Sequence, residues 1–433
     1  METAAPAAAR RRFALPPAFQ YPAYRAYWLG LLASVTGFNL RDFAVLWLTH
    51  ELTDSPVILG AVGAATALPA ILLAPVGGSV ADRKDRRKLV VVAQLLLAVI
   101  AVLLAFLDLF EVVRPWQILA LAALAGGIFA FDQPARQAFY PHLVERRALL
   151  SAVAMNISVW QATRIAAPAL AGVLIALTST SVVLFMAAGS FFLMAGIMLT
   201  LPKHQTEAGP GESSSRQMME GFRFIRKDPV FKFLVGMSVF VSLFGMGYLL
   251  MMPVFADNIL HVGPQGQGVL LGASGVGSLM ATLALGVARG GQRRGPLIVG
   301  GAAFSGLAVA AFALTAGYIG SYPLAIVLMF LAGLFMSAYM VSVMGSIQAM
   351  VPDYLRGRVM GLVGATWSFM LLGGLLAGVA AHFIGAPWAV AAGGLAVTAF
   401  ALGPALLNPG IRGLGAAVSE AAVAQEGRSI AEK

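Results

Sequence analysis

The chain has 433 residues, of which 59% are hydrophobic and only 11% charged, and its mean hydropathy is +0.84. A soluble domain carries about 25% charged residues, so a water-soluble enzyme or binding module is excluded and a lipid bilayer is the expected surrounding. A formal charge of +10 would suggest nucleic acid in a soluble protein, but here it follows topology and no nucleic-acid partner is expected.

Apolar runs of about 20 residues recur along the whole chain, the length a helix needs to cross a hydrocarbon core. A barrel would instead show alternating segments of about 10 residues, so the expected fold is all-α. Residues 1–17 contain three arginines but no apolar core and no cleavage site, so no cleaved signal peptide is expected and the first span directs insertion. Twelve spans are predicted, at 25–49, 56–81, 88–108, 116–139, 150–177, 181–201, 230–256, 266–289, 296–317, 322–350, 358–384 and 387–407. Pro56, Pro115, Pro229, Pro296 and Pro387 stand at or near span starts, where a missing backbone N–H costs little. The longest polar interruption splits the spans six and six. The expected organisation is therefore a tail 1–24, a bundle 25–201, a linker 202–229, a second bundle 230–407 and a tail 408–433.

Orientation follows from Lys and Arg. With the N-terminus inside, 26 of the 29 basic residues fall in the tails and the inner loops; the exceptions are Arg114 in an outer loop and Arg41 and Arg164 within spans. The positive-inside rule then places both termini in the cytoplasm.

The halves echo each other. Gln137-Ala138 precedes Pro141 by the spacing with which Gln348-Ala349 precedes Pro352, Leu170-Ala171-Gly172 answers Leu376-Ala377-Gly378, and Ala81 stands to Arg86-Arg87 as Ala288 does to Arg293-Arg294. Together with the six-plus-six split, these matches point to two related bundles with a substrate site at their interface.

Ionisable residues inside spans are costly and by default functional. Asn39 and Asp42, three apart in the first span, share a helix face, while Arg41 points elsewhere; Arg164 in the fifth span is the expected partner of Asp42. Asp42 is the first choice for a proton-coupling carboxylate, since burial and an arginine partner act on its ionisation in opposite senses. Its alternative is a permanent structural pair, and Arg41 has the alternative of snorkelling to the outer surface. Asp132 and Arg136 are four apart, spaced as a local pair that positions the loop between helices 4 and 5.

No catalytic constellation is present. The five histidines, His50, His142, His204, His261 and His382, lie near span ends or in loops without metal-ligand spacing. The absence of cysteine removes disulfides, thiol catalysis and Cys-based metal sites, and no cofactor is expected. No G-x-x-x-x-G-K-[ST] loop occurs, so ATP is not the expected energy source.

At residues 77–90 the chain resembles the major facilitator superfamily, whose loop between helices 2 and 3 reads G-x-L-x-D-R-x-G-R-R/K. Gly78, Asp82, Arg83, Arg86 and Arg87 fill that pattern, with Val80 in place of Leu and Asp85 where the family has Gly. Three further stretches, Leu52-Thr53-Asp54-Ser55-Pro56, Phe131 to Gln137 and Val351 to Val359, resemble the enterobactin-exporter-like branch. The resemblance implies two pseudo-symmetric six-helix bundles in the cytoplasmic (inner) membrane of a monomer.

At that loop, Asp82 is expected to meet the positive N-terminal end of helix 11 near Gly357 when the cytoplasmic side is closed, a contact of about 0.3–1 kcal/mol, with the arginines holding Asp82 ionised. The alternative is a loop that only anchors topology. Ala167-Pro168-Ala169-Leu170-Ala171-Gly172 resembles the antiporter pattern G-P-x-x-G-G with two glycines replaced by alanine; small residues permitting close helix contact are the alternative reading of Pro168 and Gly172.

If the family arrangement holds, helices 1, 4, 7 and 10 line the cavity. Asn39, Phe244, Tyr248 and Tyr339 are then its candidates, joined by Trp160 and Gln161 of helix 5; aromatic and Met surfaces suit bulky, partly apolar ligands. The expected function is proton-coupled export of a small amphipathic molecule, a siderophore or drug, by alternating access. The alternatives are an uptake permease or lipid flippase of the same fold, and a non-transporting membrane sensor or assembly factor.

Overall fold

The computed structural model describes residues 16–202, 222–287, 294–351, 355 and 359–407, apart from 224, 227, 228, 361, 365 and 367. Residues 1–15 of the expected N-terminal tail, the whole tail 408–433, most of the linker 202–229 and the basic repeat at 288–293 lie outside the described residues.

Among the described residues, twelve helices are long and apolar enough to cross a membrane. In chain order they are α1 (Pro22–Thr53), α2 (Pro56–Arg83), α3 (Arg86–Leu109), α4 (Pro115–Phe139), α5 (Leu149–Leu177) and α6 (Thr180–Thr200), then α7 (Pro229–Ile259), α8 (Gly263–Val287), α9 (Arg294–Ile319), α10 (Tyr322–Met350), α11 (Ser368–Ile384) and α12 (Ala386–Leu407). The protein is thus a multi-pass membrane protein with the fold the apolar spacing predicts. α7 departs from the expected regular helix, because π-turns at Val241–Gly245 and Phe255–Ile259 flank a short α segment, Tyr248–Val254. Such turns occur mostly as single bulges, frequently at functional sites.

The two faces of the bundle are built differently. One carries the basic α2–α3 and α4–α5 connections and is called here the basic face. On the far face the turns are tight: Asp54 (φ 45°), Gly320 (φ 66°) and Gly385 (φ 81°) end α1, α9 and α11 in the left-handed conformation, which glycine adopts without a Cβ clash. At the basic face Asp85 replaces the motif glycine usefully, since its side chain accepts from Lys88 N at 3.2 Å and caps α3. Local side-chain acceptors at that position satisfy a donor the helix cannot.

Apolar packing falls into four clusters, two per half. On the far side, the cluster of the first half includes Ala256 of α7, and that of the second half includes Leu59 of α2; Leu46 of α1 packs against both. On the basic side, among the described residues, the cluster of α1–α6 and that of α7–α12 contain only residues of their own half.

Glycines set how closely the halves approach on the far side. A Cβ on Gly172 of α5 would lie 2.2 Å from the carbonyl oxygen of Pro264, and one on Gly378 of α11 would lie 2.2 Å from that of Pro56. The two repeated Leu-Ala-Gly stretches therefore make the same contact, each with the first turn of a helix in the other half. α2 also crosses α11 at Gly60 and Gly374, and α8 crosses α5 at Gly268 and Pro168.

Candidate substrate and proton site

Residues 42, 46 and 50 of α1 are four apart and so lie on one face. Leu46 packs against both halves and His50 contacts Asp257 of α7, so this face, Asp42 included, is turned toward the second half. Asn39 shares it, with its Nδ2 donating to Val35 O at 2.8 Å.

Asp42 takes a different partner from the one expected. Arg41 Nη2 lies 2.9 Å from Asp42 Oδ1, and the arginine side chain is 6% exposed against 44% for the aspartate. Neighbours in sequence start about 100° apart on a helix, but the arginine stem is long enough to turn back, and its guanidinium sits 5.6 Å from the centroid of Phe38. Arg41 therefore does not snorkel outward. It is buried, while the carboxylate it neutralises stays accessible.

Arg164 is exposed and lies close enough to Tyr248 of α7 for its charge to act on that hydroxyl. No Arg164–Asp42 ion pair is present among the described residues. Arg164, Pro168 and Gly172 share one face of α5, and the close contacts of Pro168 and Gly172 with α8 turn that face to the second half. The small residues here serve close helix packing. Gln161, one turn before Arg164, is half-buried.

Asp132 and Arg136 form a second, sealed site. Arg136 Nε lies 2.6 Å from Asp132 Oδ2, without the alignment of a hydrogen bond at that nitrogen. Arg136 Nη2 donates to Ser34 Oγ at 2.7 Å, Ser34 Oγ to Gln94 Oε1 at 2.8 Å, and Gln94 Nε2 to Asp132 Oδ1 at 3.3 Å. The four side chains close a ring across α1, α3 and α4, beneath Phe38, Phe129 and Trp160. The pair thus ties helices together instead of positioning the α4–α5 loop. Ser34 and Gln94 escaped the sequence reading; a single Gln in Val-Val-Val-Ala-Gln-Leu-Leu-Leu is the signal that marks such a buried partner.

The motif arginines reach the ends of neighbouring helices. Arg86 donates to Ala138 O at 3.1 Å and contacts His142 Nε2 at 2.7 Å, while Arg87 donates to Leu199 O. Cations at the C-terminal carbonyls of α4 and α6 suit the helix dipole, so these two residues staple the first bundle. Arg83 is exposed and Gly78 has no neighbour against which a Cβ would press. The side chain of Asp82 and its expected partner at Gly357 lie outside the described residues.

Of the aromatic candidates, Trp160 meets Phe38 edge-on at 6.2 Å, inside the first bundle. Phe244 packs on Phe240, whose ring stacks on Phe400 of α12, so it faces α12 and not the interface. Tyr339 is 1% exposed and its hydroxyl donates to Ser238 at 3.4 Å; it belongs to the core of the second bundle. Tyr248 alone of this group reaches a charged residue of the other half.

These features define a major facilitator fold, two helical halves around a polar interface. The family model described as transmembrane secretion effector matches residues 14–412, and the chain belongs to that family, whose members and relatives are transporters and not enzymes. Relatives include an uncharacterized MFS-type transporter, YfiS, of Bacillus subtilis (28% identical, covering 82% of this chain and 87% of that one). Others are the staphyloferrin A transporter of Staphylococcus aureus (24%, covering 78% and 84%) and the enterobactin exporter EntS of Shigella boydii (25%, covering 82% and 85%). Among solved structures, the nucleoside transporter NupG superposes with a TM-score of 0.65 at 13% identity, over 92% of this chain and 99% of that one, a likeness of fold.

Proposed function

We propose that the protein exports a small amphipathic molecule across the cytoplasmic membrane in exchange for protons, with the basic face inside. The observation that carries this reading is the distribution of packing among the described residues: the apolar clusters cross between halves on the far side and stop at the half boundary on the basic side. That distribution supports an alternating-access carrier closed to the outside. In this state a substrate from the cytoplasm meets the α1 and α5 faces that carry Asp42 and Arg164. Siderophores are the substrate class favoured by the names of two relatives, the enterobactin exporter and the staphyloferrin A transporter.

Asp42 is the proposed proton carrier. It is accessible from the interface, and protonation frees Arg41 from its counter-charge, so proton and substrate can exclude one another through the same pair. Asp132 is the poorer candidate because every partner in its ring is protein. Asp82 is proposed as the acidic part of the inner gate, formed when the basic side closes.

Purified protein in proteoliposomes should move a siderophore under an imposed pH gradient. Asp42→Asn should keep counterflow of substrate but lose its dependence on the gradient, and Asp82→Asn should insert normally but transport more slowly. Absence of flux over a panel of siderophores and amphipathic drugs would overturn the export reading. Flux driven only inward would make the protein an uptake permease.

A further inference from the structure

The far face is closed by charge as well as by packing. His50, on the last turn of α1, has a side chain only 2% exposed, and its two ring nitrogens face two carboxylates. Nδ1 lies 3.8 Å from Oδ1 of Asp54, which ends the same helix. Nε2 lies 3.3 Å from Oδ2 of Asp257, on the closing π-turn of α7 in the other half. Asn258, next along α7, donates from Nδ2 to Asp54 Oδ1 at 2.5 Å, so Asp54 too is joined across the interface.

The surroundings of the imidazole are acidic. Glu51, held by Trp47 Nε1 at 2.6 Å, interacts with His50, with Asp257 and with Asp108 of α3. Trp47 packs on the ring itself at 6.1 Å between centroids. Arg114, the basic residue of the α3–α4 loop, and His261, in the α7–α8 loop, are both exposed.

A neutral imidazole has one N–H and one lone pair. Placed here with its proton on Nε2, it presents that proton toward Asp257 but turns the Nδ1 lone pair toward the Asp54 carboxylate, and Nδ1 is a buried atom with no hydrogen-bond partner. Only the imidazolium presents a proton to both carboxylates. Imidazole is also the side chain whose ordinary charge change falls between about pH 5 and 8.

We propose that His50 is a proton-operated latch on this face: as imidazolium it bridges Asp54 of its own helix to Asp257 of α7 and holds the halves shut, and loss of the proton frees α1 from α7. The latch is complete only when the halves are closed, so closure and protonation favour each other by linkage. With the far face outside, which rests on the orientation proposed above, external acid favours the state open to the cytoplasm and external alkali favours opening outward. The latch concerns which face is open and is distinct from proton carriage at Asp42.

The chain has no cysteine, so one spin label can be placed on each half without removing native thiols. Leu177→Cys at the end of α5 and Ile384→Cys at the end of α11 are both exposed and far-side. In lipid nanodiscs the label distance should be short at about pH 5.5, and a longer-distance population should grow by about threefold at about pH 8.5, the scale of a half-exposed ion pair. His50→Gln should hold the alkaline distribution at both pH values. Asp257→Asn, which keeps the histidine and removes its partner across the interface, should also lose the response. A distance that does not change with pH in the parent, or a response that survives in both variants, would overturn the latch. No substrate enters the measurement, so this result stands or falls separately from the flux assay.

Discussion

Two aspartate–arginine pairs lie in the first bundle and their surroundings separate their roles. Asp132 and Arg136 are sealed, with side-chain exposures of 4% and 6%, and both find further protein partners in Ser34 and Gln94. Breaking a buried pair by removing one partner costs about 3–5 kcal/mol, because a charge is left uncompensated. Arg136→Met should therefore lower the thermal unfolding midpoint in detergent sharply. The double variant Asp132→Asn with Arg136→Met should recover part of that loss, since removing both charges leaves neither stranded. Asp42→Asn, at a carboxylate 44% exposed, should shift the midpoint far less. The i, i+4 spacing made the Asp132–Arg136 pair legible in the sequence. Its other partners, Ser34 and Gln94, 102 and 38 residues away along the chain, were not, because no local rule connects a serine in α1 to a glutamine in α3. For the same reason His50 reads as an ordinary residue at a span end until α7 places Asp257 beside it.

At the scale of the helices, ends were legible and crossings only in part. Prolines at the first turns of α2 and α4 mark starts by their fixed φ and missing donor. The repeated Leu-Ala-Gly stretch indicated related halves, but that Gly172 meets Pro264 and Gly378 meets Pro56 needed the packed structure. Both glycines leave no room for a Cβ, so Gly172→Ala and Gly378→Ala should each force the halves apart. Either substitution should lengthen the far-side label distance and lower transport. Gly189→Ala, in α6 with nothing within 4 Å, should leave both unchanged and stabilise its helix slightly, alanine being favoured over glycine by about 1 kcal/mol in a helix interior. The first π-turn of α7 had no sequence counterpart in the apolar pattern, which runs through it, whereas the second carries Asp257 and Asn258. Between them α7 meets α11 closely, at Gly247 against the carbonyl of Gly373.

For the whole molecule, the strongest sequence signal is the placement of basic residues, and the structure collects the α2–α3 and α4–α5 connections on one face. With that face inside, a fluorescent protein fused to the C-terminus should mature and fluoresce. Alkaline phosphatase inserted after Ser179 should be active, since that short loop is assigned to the outside. The reverse pattern would invert the orientation and, with it, the side from which the latch is titrated.

The sequence by itself determined the solvent, the number and length of the helices and the side on which its charges gather. Those properties come from contiguous stretches, apolar runs matched to a bilayer and loops weighted with Lys and Arg, so each can be read locally. The tertiary structure decided which charges pair, which aromatics face the interface and which side is closed. Asp42 with Arg41, Tyr339 inside a bundle core and His50 against Asp257 all depend on the rotation of one helix about its axis and on its neighbour in space. Hydrophobicity fixes that rotation poorly in a membrane, where lipid is as apolar as the protein core, and it is set instead by glycine contacts and buried polar partners contributed from distant parts of the chain.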